Sequence, residues 1–288
     1  MTFDPSKVSK LGFGVSGPHA SHLLCEKHTI RRIREAVELG VTVYDTAPFY
    51  EDGLGPFGKN LAEVRLGKAL KTIDRSKLVL TTKIGAKSKA EQDFSATSII
   101  QSLEGSLSRL ATDYVDILFL QGPRPIDWTA ETLETLAVLK QAGKIGAVGI
   151  SGRGKELDAL FDHDLIDVLM APSHLAISEI DIARIKAAKT KGLTVIGIEC
   201  MYGAQHPVTR EKSPGRLWYA VRKLDHWRHP EKEPVMPPLH GSLATQAEAY
   251  NWSLNTLGVD CVLTLTTNVE HLRQNAAVIG LDGRPGTA

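Results

Sequence analysis

The chain has 288 residues, of which 34 are basic and 33 acidic, for a formal charge of +1, with 42% hydrophobic and 23% charged side chains. That balance excludes the apolar-poor, highly charged composition of disordered chains. It also supplies no cationic field for nucleic acid or anionic lipid, so a small molecule is the expected partner.

In chain order, short β-branched runs fall at Leu11–Val15, Val41–Asp45, Leu78–Lys83, Val115–Gln121, Ala147–Ser151, Val168–Pro172, Leu193–Glu199 and Cys261–Thr266. Between them lie segments with helical spacing of apolar residues, at Arg31–Leu39, Ala62–Leu70, Ser95–Leu110, Leu133–Ala142 and Ile180–Lys191. Gly40, Gly143 and Gly192 stand where helices should stop before the next strand, the position at which a left-handed C-cap is wanted. Strand alternating with helix predicts a parallel sheet with crossover connections, and a count of eight predicts a single (β/α)8 TIM barrel spanning residues 1–288. The alternative, an open doubly wound sheet, wants a phosphate-binding GxGxxG turn after its first strand. LGFGVSG is glycine-rich but has no such helix start. Residues 205–240 break the rhythm as a long insertion rich in Pro, His and Trp, either a solvated loop held by Trp218 and Trp227 or a substrate lid, with WYAVRKLDHW as a short helix.

No apolar run approaches the roughly 18 residues of a membrane span, and the N-terminus lacks a secretory apolar stretch, so a cytoplasmic protein is expected. Cys25, Cys200 and Cys261 are far apart without CxxC spacing, as reduced thiols would be. The ten histidines include no HExxH pattern, and no metal is expected.

Chemistry concentrates at the C-terminal strand ends, the face on which barrel enzymes build their sites. Asp45 follows strand two, Lys83 ends strand three, Gln121 ends strand four, and Tyr50 lies just beyond Asp45. A phenol with an ordinary pKa of about 10 needs a neighbouring cation to work near neutrality, and a carboxylate would hold that cation. Taken singly, each has a plainer role: Asp45 as a turn cap, Lys83 snorkelling, Tyr50 packing.

VSKLGFG, YDTAPFY with AEVRLGKAL, LTTKIG, SLEGSLSRLATDYVDILFL, LKQAGKIGAVGIS and LTLTTNVEHLRQN closely resemble, in order, the signature segments of aldo-keto reductases. The resemblance covers roughly residues 8–280 apart from the insertion. It implies hydride transfer between nicotinamide and a small aldehyde, ketone, sugar or alcohol, with Tyr50 as general acid or base, Lys83 lowering its pKa and Asp45 pairing with Lys83. It also implies cofactor contacts at Ser151, Met201, Gly203, Thr266, Thr267, Asn268, His271, Gln274 and Asn275. NADP is the implied cofactor, with NAD as the alternative, and the implied assembly is a monomer or small homo-oligomer.

The chain departs from the family pattern at several of these places. Gln121 stands where a histidine is usual, and it can donate a hydrogen bond but cannot titrate. Ser151-Gly152 replaces Ser-Asn, Met170 replaces a glutamine, and Leu265 and His271 replace the lysine and arginine that meet a 2′-phosphate; Arg273 would then have to compensate. His19, His22 and His174 lie on loops of the same face; His19, His174 and Trp218 are candidate substrate contacts. Two alternatives follow from the departures: non-redox lyase or isomerase chemistry on the same relay, and a weakly active cofactor-binding regulatory subunit.

Overall fold

A computed structural model of the chain describes residues 2–50, 60–86, 91–204, 213–228 and 244–281. Eight parallel strands close into a barrel in sequence order: β1 (Leu11–Gly14), β2 (Val43–Asp45), β3 (Val79–Ile84), β4 (Val115–Gln121), β5 (Ile145–Ser151), β6 (Ile166–Pro172), β7 (Thr194–Ile198) and β8 (Cys261–Thr264). The helices are α1 (Glu26–Glu38), α2 (Leu61–Leu70), α3 (Ala96–Leu110), α4 (Ala130–Gln141), α5 (Ala159–Asp162), α6 (Glu179–Thr190), α7 (Arg216–Arg228), α8 (Gln246–Asn251) and α9 (Val269–Val278). The (β/α)8 expectation is met.

The glycine stops behave as the spacing required: Gly40, Gly143 and Gly192 adopt φ of +87°, +72° and +78°. Helix starts are less legible. α1 begins at Glu26, five residues before the expected Arg31, because its first turn, Glu26-Lys27-His28-Thr29, buries a threonine and shows no apolar spacing. α4 opens at Ala130, where the Thr129 hydroxyl accepts from the Thr132 amide at 3.1 Å, a side-chain cap of one orphan donor. α5 is a single turn after a 3-10 turn, too short to register as a periodic segment.

Two apolar layers hold the barrel. Its interior is filled by Val43, Val79, Ile117, Phe119, Ala147, Val168, Met170, Ile196 and Cys261, while alternate strand residues such as Tyr44, Leu80, Leu118 and Val148 pack outward against the helices. Small residues make room for large ones inside: a Cβ on Gly149 would lie 2.4 Å from the Phe119 ring, and one on Gly12 2.4 Å from Leu263. This two-residue alternation decides where the chemistry goes. Asp45 shares the parity of Val43, Lys83 of Val79, Gln121 of Ile117, and Ser151 of Ala147, so all four belong to the lumen face at the C-terminal end.

Of the 205–240 insertion, residues 205–212 and 229–240 lie outside the described residues, and the lid expectation falls largely on them. Within the described part, the WYAVRKLDHW segment is helical, as expected, and belongs to α7. Trp218 is buried, with Arg222 over its ring at 5.1 Å and its edge 3.4 Å from where a Cβ on Gly17 would sit.

Candidate active site

At the end of β2, Asp45 is 3% exposed and accepts three contacts. Lys83 Nζ is ion-paired to Oδ1, the Thr81 hydroxyl donates to Oδ1 at 2.7 Å, and the Tyr50 hydroxyl donates to Oδ2 at 3.1 Å. Lys83, also 3% exposed, donates to the Thr46 carbonyl at 3.2 Å, and its ammonium lies 5.1 Å from the centre of the Tyr50 ring. The three residues anticipated as a relay are therefore in contact. One expectation is reversed: the Tyr50 phenol is held well above its ordinary 10, first by burial and then by the adjacent Asp45 carboxylate, with Arg153 pulling weakly the other way. The Lys83 cation is turned to Asp45 and, its own pKa lowered by burial, does not lower the phenol in this geometry.

Beside the relay runs a cavity of about 630 Å³ lined from Asp45 and Tyr50 along β7 and β8 to the start of α9. Its polar lining consists of hydroxyls and amides: Ser16, Ser213, Thr264, Thr266, Thr267, Asn268 and Asn275, together with His271 and Glu199. Asn268 caps α9, its side chain accepting from the Glu270 amide at 2.9 Å, so the helix presents its N-terminal end to the cavity. The Asn275 amide donates to the Thr264 hydroxyl at 2.6 Å, and Ser213, just before α7, bonds Thr267 at 2.6 Å. Apolar Ile198, Met201, Leu263 and Leu265 complete the walls. Cys200 also lines the cavity, but burial pushes its thiol up to about 12, and a thiol so placed is not a nucleophile near neutrality.

Residues 10–169, more than half the chain, match the family model of the Aldo/keto reductase family. The chain belongs to the aldo-keto reductase family. It is 34% identical to an L-galactose dehydrogenase of Arabidopsis thaliana over 209 residues, 66% of this chain and 60% of that protein. It is 32% identical to an aldo-keto reductase of Bacillus subtilis over 62% of this chain and 52% of the relative, so the matched region spans little more than half the length of such relatives. At 24% identity, an NADH-specific methylglyoxal reductase of Escherichia coli is matched over 96% of this chain and 91% of its own. Among solved structures, an aldo-keto reductase of Bacillus halodurans in its holo form superposes with a TM-score of 0.70 at 25% identity, over 95% of this chain and 87% of that one.

Six of the anticipated cofactor residues line the cavity: Met201, Thr266, Thr267, Asn268, His271 and Asn275. Ser151, Gly203 and Gln274 lie outside that lining. Ser151 is 6% exposed beneath the mouth, the Gly203 carbonyl accepts from the Ala244 amide at 3.1 Å, and the Gln274 side-chain oxygen is buried with no partner among the described residues. Met170, where an amide anchor is usual, is part of the barrel interior. Gln121 is half-buried, with its backbone carbonyl accepting from the Gln92 side chain at 2.9 Å.

The histidine candidates separate from the cavity. His19 is fully buried, its Nε2 meeting the Thr266 carbonyl at 3.0 Å and its Nδ1 the Thr29 hydroxyl at 3.2 Å, so both nitrogens are spent, one on tying the loop after β1 to the loop after β8 and the other on α1. His174 is 4% exposed, packs edge-on against Tyr202 at 4.8 Å and accepts from the Ala176 amide, and burial lowers its pKa. Trp218 packs behind Gly17 rather than lining the cavity; its neighbour Tyr219 lines it instead. Sequence reasoning missed Ser16, Glu199, Ser213 and Tyr219. Glu199 alone carried a signal, as the last residue of an expected strand at the active face.

No helix among the described residues is long and apolar enough to cross a membrane, and among the same residues no cluster of metal-ligating side chains occurs.

Proposed function

We propose that this protein is an oxidoreductase that transfers a hydride between a nicotinamide cofactor and a small carbonyl compound or alcohol, with Tyr50 as the general acid or base. The observation that carries this reading is the position of the Tyr50 hydroxyl, on an Asp45 carboxylate paired with Lys83, at a cavity whose walls combine hydroxyl and amide groups with apolar side chains.

The donor set suits the proposed cofactor. Hydroxyls of Thr266 and Thr267, the Asn268 end of α9 and the Asn275 amide are the groups that hold phosphate and ribose oxygens, and a helix N-terminus favours the anion. When bound, the nicotinamide supplies or accepts the hydride. Tyr50 handles the proton. Held above its ordinary pKa, its phenol stays protonated at neutral pH, and its single proton, directed at Asp45 in this geometry, would turn to the carbonyl oxygen as reduction proceeds. Asp45 holds that hydroxyl in place, and Lys83 compensates the carboxylate, which would otherwise be a buried unpaired charge. The neutral Gln121 amide supports the substrate oxygen as a donor but does not titrate.

His271 is the candidate partner for a 2′-phosphate and, unlike Arg, offers no fixed charged fork. A solved aldo-keto reductase of Klebsiella pneumoniae in complex with NADPH shares the fold at a TM-score of 0.63 and 21% identity, over 94% of this chain and 86% of that one. NADP is the proposed cofactor, with NAD as the alternative. A cytoplasmic barrel, monomeric or a small homo-oligomer, comprising the whole chain is part of the same proposal.

Turnover followed at the nicotinamide absorbance tests the reading. Tyr50→Phe should lower kcat by about 10²- to 10⁴-fold, the usual worth of general acid–base help, while leaving cofactor affinity within a few-fold. Undiminished turnover in that variant would remove Tyr50 from the chemistry.

A further inference from the structure

Only three non-glycine residues among those described have positive φ: Asn60 at +64°, Ala111 at +54° and Glu199 at +59°. Ala111 is the C-cap of α3, where a left-handed residue is ordinary, and Asn60, which precedes α2, is a residue type that tolerates this conformation. Glu199 caps nothing. It follows β7, its carbonyl accepting from the Tyr202 amide at 2.8 Å, and it lines the same cavity as Asp45 and Tyr50. Backbone strain of this kind persists where the surrounding structure overdetermines it, and such positions cluster at functional sites.

The surroundings are built for it. Arg153, in the loop after β5, reaches across the mouth to pair with the Glu199 carboxylate. The backbone of Arg153 is fixed by Glu156, whose carboxylate accepts from the Arg153 amide at 2.6 Å. Glu156 in turn lies against Gly152: a Cβ there would sit 2.3 Å from Glu156 Cγ. Gly152, where the resemblance implies an asparagine, thus leaves the room that the Glu156 side chain fills as it fixes the backbone of Arg153. The two carboxylates of the cavity, Asp45 and Glu199, are each matched by one cation, Lys83 and Arg153. The reactive end is then close to electrically neutral, and Glu199, 27% exposed, keeps acceptor positions for donors that enter.

We propose that Glu199, held by Arg153, is a specificity-determining residue that accepts hydrogen bonds from substrate hydroxyls and selects a neutral, hydroxyl-bearing carbonyl compound over an anionic one. This rests on the redox reading above. Charge-assisted hydrogen bonds are the stronger kind, and a site built to bond a hydroxyl rejects the analogue lacking it. Against an anion, the Glu199 carboxylate competes for Arg153 and repels the ligand.

Three aldehydes test the proposal with the full chain and nicotinamide: glyceraldehyde, propanal and succinic semialdehyde. The wild-type protein should favour glyceraldehyde over each of the others by about tenfold or more in kcat/KM. Glu199→Gln should shrink the glyceraldehyde-to-propanal ratio about tenfold, chiefly through KM. It should also raise succinic semialdehyde relative to glyceraldehyde, since Arg153 is then free for a carboxylate. Glu199→Asn separates recognition from structure, because asparagine tolerates the left-handed conformation. It should melt no lower than the wild type and still lose the hydroxyl preference, whereas a merely structural strut would lower the melting temperature and leave the ratio intact. Turnover of the aldehydes without discrimination, or ratios unmoved by both variants, overturns the proposal alone. Absence of turnover of all three with either nicotinamide sinks the redox reading and this inference with it.

Discussion

The two sides of the barrel mouth are built on opposite principles. On the β2–β3 side, the charges are sealed: Asp45 and Lys83 are each 3% exposed and are satisfied by one another, by Thr81 and by a backbone carbonyl. On the β5–β8 side, the polar groups are mostly neutral hydroxyls and amides, and the charged pair at the rim, Arg153 and Glu199, is 59% and 27% exposed. A proton-transfer group needs a dry, fixed electrostatic setting, in which each charge acts strongly and must be paired. Recognition of a ligand needs donors and acceptors that a ligand can reach. The departures implied by the resemblance at Gly152, Met170, Leu265 and His271 all fall on the second side.

The sharpest way to break this contrast is to unpair the sealed side. Asp45→Asn or Lys83→Met leaves one buried charge without its partner, and thermal or denaturant unfolding should record a loss of about 3–5 kcal/mol. The same truncation at Arg153 should cost no more than about 1 kcal/mol, as for exposed pairs. Equal losses on the two sides would erase the distinction.

A smaller effect tests the backbone that presents Lys83. Gly85, at the end of β3, has φ of +99°, and a Cβ there would lie 2.1 Å from the Phe94 ring. Gly85→Ala combines backbone strain with a clash and should destabilise by about 1–3 kcal/mol, read as a shift in denaturant midpoint at constant slope.

A pH-dependent effect lies between the two sides, in the loop after β1. Burial holds His19 at about 4, against its ordinary 6.5, so the unfolded chain binds a proton in that window that the folded chain does not. The stability contributed by neutral His19 is complete above about pH 6.5 and is lost as the pH falls towards 4, at no more than about 1.4 kcal/mol per pH unit. His19→Gln should flatten the dependence of melting temperature on pH across that window, and a slope identical to wild type would mean that His19 titrates normally.

The barrel was legible from sequence because eight β-branched runs alternate with helices stopped by glycine, and Asp45 and Lys83 were legible because each ends a strand on the inward-facing parity. His19 was misread for a physical reason. A histidine on an active-face loop points to substrate or to the core according to partners that sequence does not bring together, and the Thr266 carbonyl is 247 positions away. The Arg153–Glu199 pair, 46 positions apart, was invisible in the same way; Ser213 lay in an insertion without periodic pattern, and Tyr219 in the expected short helix, whose inward face sequence did not indicate. The rise in the Tyr50 pKa was missed because spacing shows which charges are near but not that Lys83 turns to Asp45.

The central claim is that the donor-lined cavity beside Tyr50 takes a nicotinamide cofactor. Titration of the protein with NADPH and, separately, with NADH, followed by quenching of tryptophan fluorescence, tests it most directly. Saturable binding of at least one of them at micromolar concentration is the predicted result, and the tighter of the two identifies the cofactor. Failure of both to bind would contradict the account and leave Asp45, Tyr50 and Lys83 as a proton relay without a hydride partner.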